Sequence, residues 1–259
     1  MGESSNAVKS ADRALTVLEH LATARKPRSL TEIAEALRIP KSSLHGLLRT
    51  MQNRGWLSVD ENDAGLKYRV GPQALTVGAS FLLSDDIVRR STGMLDALSL
   101  ELGETIHLGV LDNVEVMYLA KRDARHNLRL VSGVGVRLPA SATALGKALL
   151  AELDEVSLAR RLEAPRSALT PSTLVMETDL RADLLETRVR GYAIDDQEST
   201  EGVRCFAVPL GVSSPRRYAI SCSTPVTRLD ARRERHIVDV LTNAASEFSE
   251  SEEIGPLTW

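Results

Sequence analysis

Apolar residues recur along this chain with two different periods, and the change of period separates a helical N-terminal part from a mixed C-terminal part. Close to the N-terminus, helical spacing predicts a first helix. Its apolar face contains Val8, Ala11, Leu15, Leu18 and Leu21 or Ala22. A second helix begins near Ser29, since Ser29 and Glu32 have the spacing of a capping box, and Leu30, Ile33, Ala34 and Leu37 follow at helical spacing.

A tight turn and a third helix follow. Pro40 lacks an amide donor and restricts Ile39, so the second helix ends there, and Pro40 suits the start of a new helix near Lys41. The apolar face of this third helix contains Leu44, Leu47, Leu48 and Met51. The opposite face carries Ser42, His45, Gly46, Arg49 and Asn53. One face can pack while the other is free to bind, as in a helix-turn-helix.

The next segment alternates as a β-hairpin. Strands are predicted at Trp56–Val59 and Leu66–Val70 around the turn-rich segment Asp60–Gly65. Lys67 and Arg69 share one side of the second strand, which suits contact with phosphate groups. The residues expected to face the core are Leu66, Tyr68 and Val70. An ordinary helical pair with a β-ribbon is the alternative, but the capped helix and the attached hairpin favour a winged helix-turn-helix that binds DNA.

The hydroxyl groups of Ser42 and Ser43 lie near the start of the third helix, where they can bind phosphates. His45 and Arg49 are one turn apart and are the candidates for base edges, because arginine can donate two hydrogen bonds to guanine. A surface residue that touches only phosphate is the alternative for each, and it is favoured for Lys41. The predicted DNA-binding residues are Ser29, Lys41, Ser42, Ser43, His45, Arg49, Lys67 and Arg69.

Beyond Gly71-Pro72 the pattern predicts a linker helix that can also serve dimerisation, and then one further helix over Asp85–Leu102. Strands are predicted at Thr105–Leu111, Val114–Lys121, Asn127–Val131, Tyr192–Asp195, Val203–Leu210 and Arg217–Ser223. Helices are predicted at Thr143–Leu153, Asp154–Leu162, Asp179–Arg190 and Asp230–Ser249. This order implies an α+β domain with a largely antiparallel sheet.

Composition places the chain among globular proteins. It has 259 residues, of which 43% are hydrophobic and 26% charged, enough for two domains. No apolar run approaches the ~20 residues needed to cross a bilayer, and the N-terminus lacks the apolar core of a signal peptide. We therefore expect a cytoplasmic protein that does not bind membranes.

Charge is distributed unevenly. The net charge of −3 argues against a generally basic nucleic-acid protein. Residues 1–75, however, contain 11 Lys and Arg against 8 Asp and Glu, a net +3, whereas residues 76–259 contain 21 against 27, a net −6. A basic N-terminal part on an acidic body favours a local contact with DNA.

Two neighbouring strands carry small side chains on one face. Alternation places Ala219, Ser221 and Ser223 together, and likewise Cys205 and Ala207. Such a face can leave room for a ligand and offer it hydrogen bonds. Close packing of the sheet against a helix explains the same spacing equally well. Cys205 and Cys222 lack the spacing of a zinc or redox motif, and we expect both to be small buried residues, with oxidation open if the sheet brings them close.

The chain resembles the isocitrate lyase regulator (IclR) family of bacterial transcription factors from Ser10 to Ser249. The motifs that carry the resemblance are Leu30-Thr31-Glu32-Ile33-Ala34, Ile39-Pro40-Lys41-Ser42-Ser43, the run Arg137-Leu138-Pro139-Ala140-Ser141-Ala142-Thr143-Ala144-Leu145-Gly146-Lys147-Ala148, Arg190-Gly191-Tyr192-Ala193-Ile194-Asp195-Asp196, and Gly202-Val203-Arg204-Cys205. Arg38 stands where the family usually has glycine, and Gly46 where it usually has arginine.

This resemblance implies a winged helix-turn-helix DNA-binding domain at 1–71, a linker helix at 72–84 and a GAF-like effector-binding domain at 85–259. It also implies a homodimer or a dimer of dimers on a palindromic operator in double-stranded DNA. The effector site that it implies contains Ala144, Leu145, Asp195, Cys205, Ser221 and Ser223, with an apolar wall of Leu130, Leu138 and Val203. Amides at the helix start near Thr143–Gly146 would favour an anion, so a small organic or aromatic acid is the expected effector. Asp195 has an alternative role, which is to order its loop by accepting backbone hydrogen bonds.

Enzyme interpretations find little support. Leu145-Gly146-Lys147-Ala148 resembles a phosphate-binding loop, but Ser141 replaces its first glycine and Ala148 its magnesium-binding hydroxyl. The histidines lack metalloprotease spacing and there is no GxSxG motif. We therefore predict no catalytic residue, metal or cofactor. The expected function is a DNA-binding transcriptional regulator controlled by a small acid, with a catabolic operon as its target. The alternatives are an effector-independent architectural DNA-binding protein and a GAF-like enzyme that uses thiol redox chemistry.

Overall fold

The computed structural model describes residues 8–24, 26–62, 65–124 and 132–253. Contacts divide the chain into two compact units, Met1–Asp85 and Asp86–Trp259. Within the described ranges, no helix combines the length and apolarity needed to span a bilayer.

The N-terminal unit is a three-helix core with a small sheet. Its elements are α1 (Lys9–Thr23), β1 (Arg28–Ser29), α2 (Leu30–Leu37), α3 (Lys41–Asn53), β2 (Leu57–Asn62), β3 (Gly65–Val70) and α4 (Pro72–Ser84). The sheet is antiparallel, in the order β1-β3-β2. The core contains Val17, Leu21, Ile33, Ala34, Ile39, Leu44, Leu48, Met51, Leu57 and Tyr68. This unit is a winged helix-turn-helix followed by a helix, as the sequence predicts.

Local chemistry fixes both ends of α2. The Ser29 hydroxyl accepts a hydrogen bond from the Glu32 amide at 3.3 Å, and the Ser29 amide donates to the Glu32 carboxylate at 2.7 Å. At the other end Arg38 adopts a left-handed conformation with φ of 52°, and its amide donates to carbonyl groups of the last turn. A side chain other than glycine is strained there. The turn therefore keeps its geometry at a cost in stability.

Two details of the N-terminal unit differ from the prediction. Val8 and Leu15 are exposed by 68% and 60%, because α1 buries an overlapping stripe that keeps the predicted Leu18 and Leu21 and adds Ala14 and Val17. Both stripes have helical spacing, and packing against α2, α3 and β3 selects one of them.

The hairpin is also longer than predicted. β2 and β3 remain paired as far as Asn62 and Gly65, so most of the predicted turn is strand. Leu66 lies on this extension opposite Glu61 and is 48% exposed rather than part of the core. In addition, β1 joins the other edge of β3, with Ser29 opposite Lys67.

The C-terminal unit is an antiparallel sheet with helices. Its helices are α5 (Asp86–Arg90), α6 (Thr92–Leu102), α7 (Ala144–Ala151), α8 (Glu155–Leu162), α9 (Glu177–Arg190) and α10 (Ala231–Glu253), with 3₁₀ turns at Ala140–Ala142 and Val226–Arg228. Its strands are β4 (Thr105–Asp112), β5 (Glu115–Arg122), β6 (Arg137–Pro139), β7 (Ala193–Asp196), β8 (Val203–Leu210) and β9 (Tyr218–Pro225). The six strands are ordered β6-β5-β4-β9-β8-β7, and every neighbouring pair is antiparallel. The predicted α+β fold is confirmed.

Of the elements predicted for this unit, one is divided in two and one lies outside the described residues. The single helix expected over Asp85–Leu102 consists of α5 and α6, which are separated at the buried Ser91. The Ser91 hydroxyl donates to the Val88 carbonyl at 3.1 Å, and such a bond competes with regular helix geometry. The strand expected at Asn127–Val131 lies outside the described residues.

Helices cover the central strands on both faces. Residues of β4 and β9 are buried on successive positions, so both faces of these strands are covered. On one face, α7 packs against β7, β8 and β9. Alternate residues such as Ile106, Leu108 and Ile220 are buried on the opposite face, where α6 and α10 pack. The face under α7 is the one that carries the small and polar side chains.

Candidate functional site

The outer side of α3 is a polar surface. Burial of Leu44, Leu48 and Met51 turns the other side of the helix toward solvent. The predicted DNA-binding residues on this helix are all exposed, namely Lys41, Ser42, Ser43, His45 and Arg49. The α3 surface therefore has the composition and accessibility that contact with a DNA groove requires.

An arginine from α1 joins this surface. Arg13 donates a hydrogen bond from Nη1 to the Ser43 hydroxyl at 3.1 Å. Sequence reasoning missed Arg13 because this contact joins residues 30 positions apart. Beside it Gly46 is exposed, and a Cβ atom at Gly46 would meet no atom within 4 Å. The space that an arginine would fill at Gly46 is open.

Of the remaining predicted DNA-binding residues, Ser29 and Arg69 already have structural partners. The Ser29 hydroxyl caps α2, and Lys67 is half-buried in the middle strand of the sheet. Arg69 is exposed and pairs with Asp60 at 3.4 Å. Within the described part of the chain, Arg49 has no such ion pair. A phosphate group would therefore compete with Asp60 for Arg69, whereas Arg49 is available.

Strand register assembles the predicted effector residues on one sheet face. Cys205 lies opposite Ser223 on one side and Asp195 on the other. Ser221 lies opposite Ala207 of β8 on one side and opposite His107 of β4 on the other. The face therefore combines hydroxyl, thiol, carboxyl and imidazole groups within a few strand positions.

This face divides into a packed part and a polar part. Ala193, Ala207 and Ala219 are fully buried against α7, in one cluster with Ala144 and Leu145. Close packing, the alternative explanation of the small side chains, holds for these alanines. Gly109 extends this region, since a Cβ there would lie 3.0 Å from Leu145 Cδ1.

The polar part adjoins the packed part on the same strands, and its Ser221 lies directly opposite Ala207. It comprises Thr105, His107, Ser221, Ser223 and Cys205, of which all but Cys205 are buried. Val203 is buried nearby on β8, and Leu138 is half-buried at the edge of the α7 cluster. Leu130 lies outside the described residues. Unlike the alanines, these side chains can exchange hydrogen bonds with a ligand.

Asp195 orders its own loop. Its Oδ1 atom accepts hydrogen bonds from the amides of Glu198 at 2.7 Å and Ser199 at 3.2 Å, and its Oδ2 atom accepts one from the Ser199 hydroxyl at 2.5 Å. Burial raises the pKa of the Asp195 carboxyl, while these hydrogen bonds oppose the rise. This arrangement matches the alternative role predicted for Asp195, because both carboxylate oxygens are already engaged.

The two cysteines lie on opposite faces of the sheet. Cys205 is opposite Ser223 and donates to its hydroxyl at 3.2 Å, whereas Cys222 is the next residue along β9 and points the other way. Burial raises the pKa of the Cys205 thiol, and raises that of Cys222 to about 12. A disulfide between them does not fit, and protonated thiols are poor nucleophiles. Both observations disfavour thiol chemistry at this site.

A buried ion cluster beside this site was not predicted. Lys147, on α7, is 1% exposed, and its Nζ atom lies 2.5 Å from Glu198 Oε1 and 2.9 Å from Asp183 Oδ2. The Lys147 contact with Glu198 holds the loop that Asp195 also orders. The sequence gives no local signal for this cluster, because Asp183 and Glu198 lie 36 and 51 residues from Lys147 along the chain.

The start of α7 is fixed by close packing. The Thr143 hydroxyl accepts a hydrogen bond from the Gly146 amide at 3.1 Å and caps the helix. A Cβ at Gly146 would lie 2.2 Å from the Ala140 backbone, so the 3₁₀ turn and the helix approach as closely as glycine allows. Among the described residues, no three His, Cys, Asp or Glu side chains form a group that could hold a metal ion.

His107 and its neighbours form a second feature that sequence reasoning missed. His107 is 1% exposed, and its Nε2 atom lies 2.9 Å from the Ser132 hydroxyl. The rings of His107 and Tyr118 pack edge to face, with 4.8 Å between their centroids. Lys121 donates a hydrogen bond to the Ser132 carbonyl at 3.0 Å. Burial, together with the charge of Lys121, lowers the pKa of His107 to about 3, so its ring is uncharged at neutral pH.

Sequence comparison agrees with this arrangement. Residues 10–61 match the IclR helix-turn-helix domain, and residues 79–250 match the C-terminal domain of bacterial IclR transcriptional regulators. The chain is 37% identical to the HTH-type transcriptional regulator XynR of Escherichia coli K12. The alignment spans 225 residues and covers 86% of this chain and 88% of XynR.

Solved structures share the fold. An IclR transcriptional regulator from Alicyclobacillus acidocaldarius superposes with a TM-score of 0.80 at 27% identity, over 94% of this chain and 98% of that one. An IclR homologue from Microbacterium hydrocarbonoxydans, solved in complex with 4-hydroxybenzoate, gives a TM-score of 0.77 at 22% identity, over 93% and 98%. At 22% identity, the similarity to the Microbacterium hydrocarbonoxydans protein shows only that the two chains share a fold.

Proposed function

Because the chain belongs to the IclR family of bacterial transcriptional regulators, we propose that it binds a palindromic operator and that a small organic or aromatic acid controls this binding. The observation that carries the proposal is the exposed polar face of α3, which no described part of the N-terminal core covers. We further propose that its targets are catabolic genes and that it acts in the cytoplasm.

In this proposal α3 enters the major groove. Arg49 and His45 reach base edges, while Lys41, Ser42 and Ser43 bind the flanking phosphates. Arg13 supports this contact by holding Ser43 in place. Lys67 and Arg69 contact the backbone from the hairpin, Arg69 by exchanging Asp60 for a phosphate. Ser29 contributes through the cap of α2, which positions the turn before α3.

The effector binds in the C-terminal unit, in the polar part of the sheet face. Ser221, Ser223 and Cys205 supply hydrogen bonds, and Leu138 and Val203 form the apolar wall, to which the family resemblance adds Leu130, outside the described residues. Ala144 and Leu145 border the site at the start of α7, where helix amides favour an anion. Asp195 acts through the loop that it orders. This assignment makes residues 1–71 the DNA-binding domain, 72–84 the linker and 85–259 the effector domain.

Paired copies of the chain match a palindrome. α4 buries none of its residues, and Leu75 and Leu83 on it are 76% and 72% exposed. Val8, directly before α1, and Leu15 on α1 leave a second apolar surface. Exposed apolar residues on two helices of one unit are suited to contact with another copy. A homodimer, or a dimer of dimers, would then place two α3 helices on the two half-sites.

A DNase footprint on the DNA that flanks the chain's own gene tests operator binding. We expect protection of a palindromic segment and weaker binding at higher salt, because phosphate contacts release counterions. Arg49→Ala should weaken specific binding by roughly 5- to 150-fold, corresponding to about 1–3 kcal/mol, while the exposed Arg232→Ala control on α10 changes little. Binding without preference over random DNA would refute operator recognition.

Calorimetry on the full chain, with a panel of organic and aromatic acids, tests effector control. Ser221→Ala should weaken acid binding and leave DNA affinity nearly unchanged, and the exposed Ser246→Ala control should affect neither. A ligand shifts DNA affinity only through unequal binding to the two arrangements of the protein. If no acid binds, and if no acid in the panel changes the affinity for the operator, the effector-independent architectural role is supported instead.

A further inference from the structure

We propose that His107 selects effectors that carry a hydroxyl group by forming a hydrogen bond to that hydroxyl through its Nδ1 atom. This inference rests on the effector site proposed above and adds the chemical class of its ligand. It is carried by one unpaired buried nitrogen and by the groups that fix its position.

The His107 Nδ1 atom is the unpaired group. His107 is 1% exposed, and Nδ1 is among the buried side-chain atoms that have no hydrogen-bond partner in the described part of the chain. Buried polar atoms in folded proteins are almost always paired, since an unpaired one keeps the cost of leaving water. A partner supplied by a ligand would remove that cost, so the unpaired nitrogen points to a binding role.

His107 also has the right location. It stands on β4 directly opposite Ser221, on the face that carries Ser223 and Cys205. Its position is therefore continuous with the polar part of the effector site. On its other side lies Lys121 of β5, which is paired with Asp123 at 2.8 Å.

Neighbouring groups hold the imidazole ring in one orientation. The Ser132 hydroxyl engages Nε2 at 2.9 Å, and the Tyr118 ring packs edge to face at 74°. Because Ser132 holds one ring nitrogen and Tyr118 packs against the ring, the imidazole cannot rotate freely to find another partner for Nδ1. Fixed groups of this kind discriminate between ligands better than mobile ones, because their geometry is set before binding.

A hydroxyl is the ligand group that fits this nitrogen. If Nε2 donates to Ser132, Nδ1 is an acceptor, and if Ser132 donates to Nε2, Nδ1 carries the proton and donates. A hydroxyl matches either case, whereas a carboxylate, which can only accept, matches only the case in which Nδ1 carries the proton. The ring is uncharged at neutral pH, because burial lowers the pKa of His107 to about 3, so it offers a carboxylate no charge. In this proposal the hydroxyl occupies Nδ1, and the acid group of the effector binds elsewhere in the site.

Isothermal titration calorimetry of the full chain with matched acid pairs tests this selection. The pairs are 4-hydroxybenzoate with benzoate and lactate with propionate. We expect the hydroxylated member of at least one pair to bind at least 10-fold more tightly, since a site built around a hydroxyl rejects the analogue that lacks it. In His107→Phe this ratio should fall below 3-fold through weaker binding of the hydroxylated acid alone. The exposed His236→Phe should retain the preference.

NMR on the unsubstituted chain keeps the test independent of whether His107→Phe folds. With ¹⁵N-labelled histidine, the hydroxylated acid should shift the His107 Nδ1 resonance, and its partner acid should leave it in place. Equal affinity within both pairs, or a preference that survives in His107→Phe, would overturn the role of His107 while leaving acid binding intact. If no acid in the panel binds, both this inference and the proposed effector class are overturned.

Discussion

Replacing Lys147 by methionine should destabilise the C-terminal unit more than any ordinary loss of a surface charge. The substitution keeps the length of the side chain and removes its ammonium group. Glu198 would then lose its counter-ion in a place where its side chain is only 6% exposed, whereas Asp183 would keep its contact with Arg190 at 3.5 Å. Glu198 Oε2 already lacks a hydrogen-bond partner among the described residues, so the remaining contacts cannot compensate.

The expected loss follows from the cost of a buried, unpaired charge. Breaking a buried ion pair by removing one partner typically costs about 3–5 kcal/mol. For a unit of this size that corresponds to a fall in melting temperature of roughly 10 °C. The exposed Lys9→Met serves as the matched control, and its effect should stay within about 0.5 kcal/mol.

The loss should also depend on pH. Burial raises the pKa of Glu198 above its ordinary value of 4.5, while Lys147 acts against the rise. The folded state therefore binds the proton more tightly than the unfolded state, and this carboxyl contributes less stability as pH rises above 4.5. Without Lys147 the pKa of Glu198 should rise further. The destabilisation of Lys147→Met should then be largest at pH 7 and smaller at pH 5.

Urea unfolding of both variants, followed by circular dichroism at pH 5 and pH 7, measures these effects. Lys147→Met combined with Glu198→Gln should recover part of the loss, because it removes the unpaired charge of Glu198. A loss below about 1 kcal/mol for Lys147→Met at pH 7, or a loss independent of pH, would contradict the view that this cluster is charged and dry.

Three further predictions concern backbone and capping. Gly146→Ala should destabilise the fold by more than about 1 kcal/mol, since its Cβ would overlap backbone atoms. Gly46→Ala should instead stabilise the fold by about 0.5–1 kcal/mol, because alanine favours a helix more than glycine does. Thermal unfolding of the two variants measures both changes in stability. Arg38→Gly should raise the melting temperature because it relieves a φ of 52°, and an unchanged or lower value would refute strain at this turn. The cap formed with Ser29 lowers the pKa of Glu32 to about 2, so its contribution to stability should be lost as pH falls from 4.5 to 2. Glu32→Gln should flatten that part of the stability profile measured by circular dichroism.

Local sequence signals predicted the elements of both units well. The capping box at Ser29 and Glu32 forms with the predicted partners, and β8 has the predicted ends. Such features depend on residues a few positions apart, so the sequence already contains the interacting groups. The errors arise where two local solutions are nearly equal. The two stripes of α1 and the interruption at Ser91 are examples, and in each case contacts with distant residues select the outcome.

The candidate site shows the same division. Alternation correctly placed Ser221 and Ser223 on one face, but could not separate a packed face from a binding face. Only the tertiary structure shows that Ala207 and Ala219 pack in one cluster with residues of α7, and that Ser221 lies on the same face directly opposite Ala207. Lys147 and His107 gave no sequence signal of their own, because what distinguishes each is burial beside partners far along the chain.

The sequence by itself determined the winged helix-turn-helix, the order of strands and helices, and the membership of the chain in a family of DNA-binding regulators. These properties follow from periodicity, caps and motifs, which act over a few residues. The tertiary structure decided which side chains are buried, which polar atoms remain unpaired and which carboxylates meet Lys147. Desolvation and pairing depend on atoms brought together from distant parts of the chain, and they set the charge and hydrogen-bonding capacity of each group in the site.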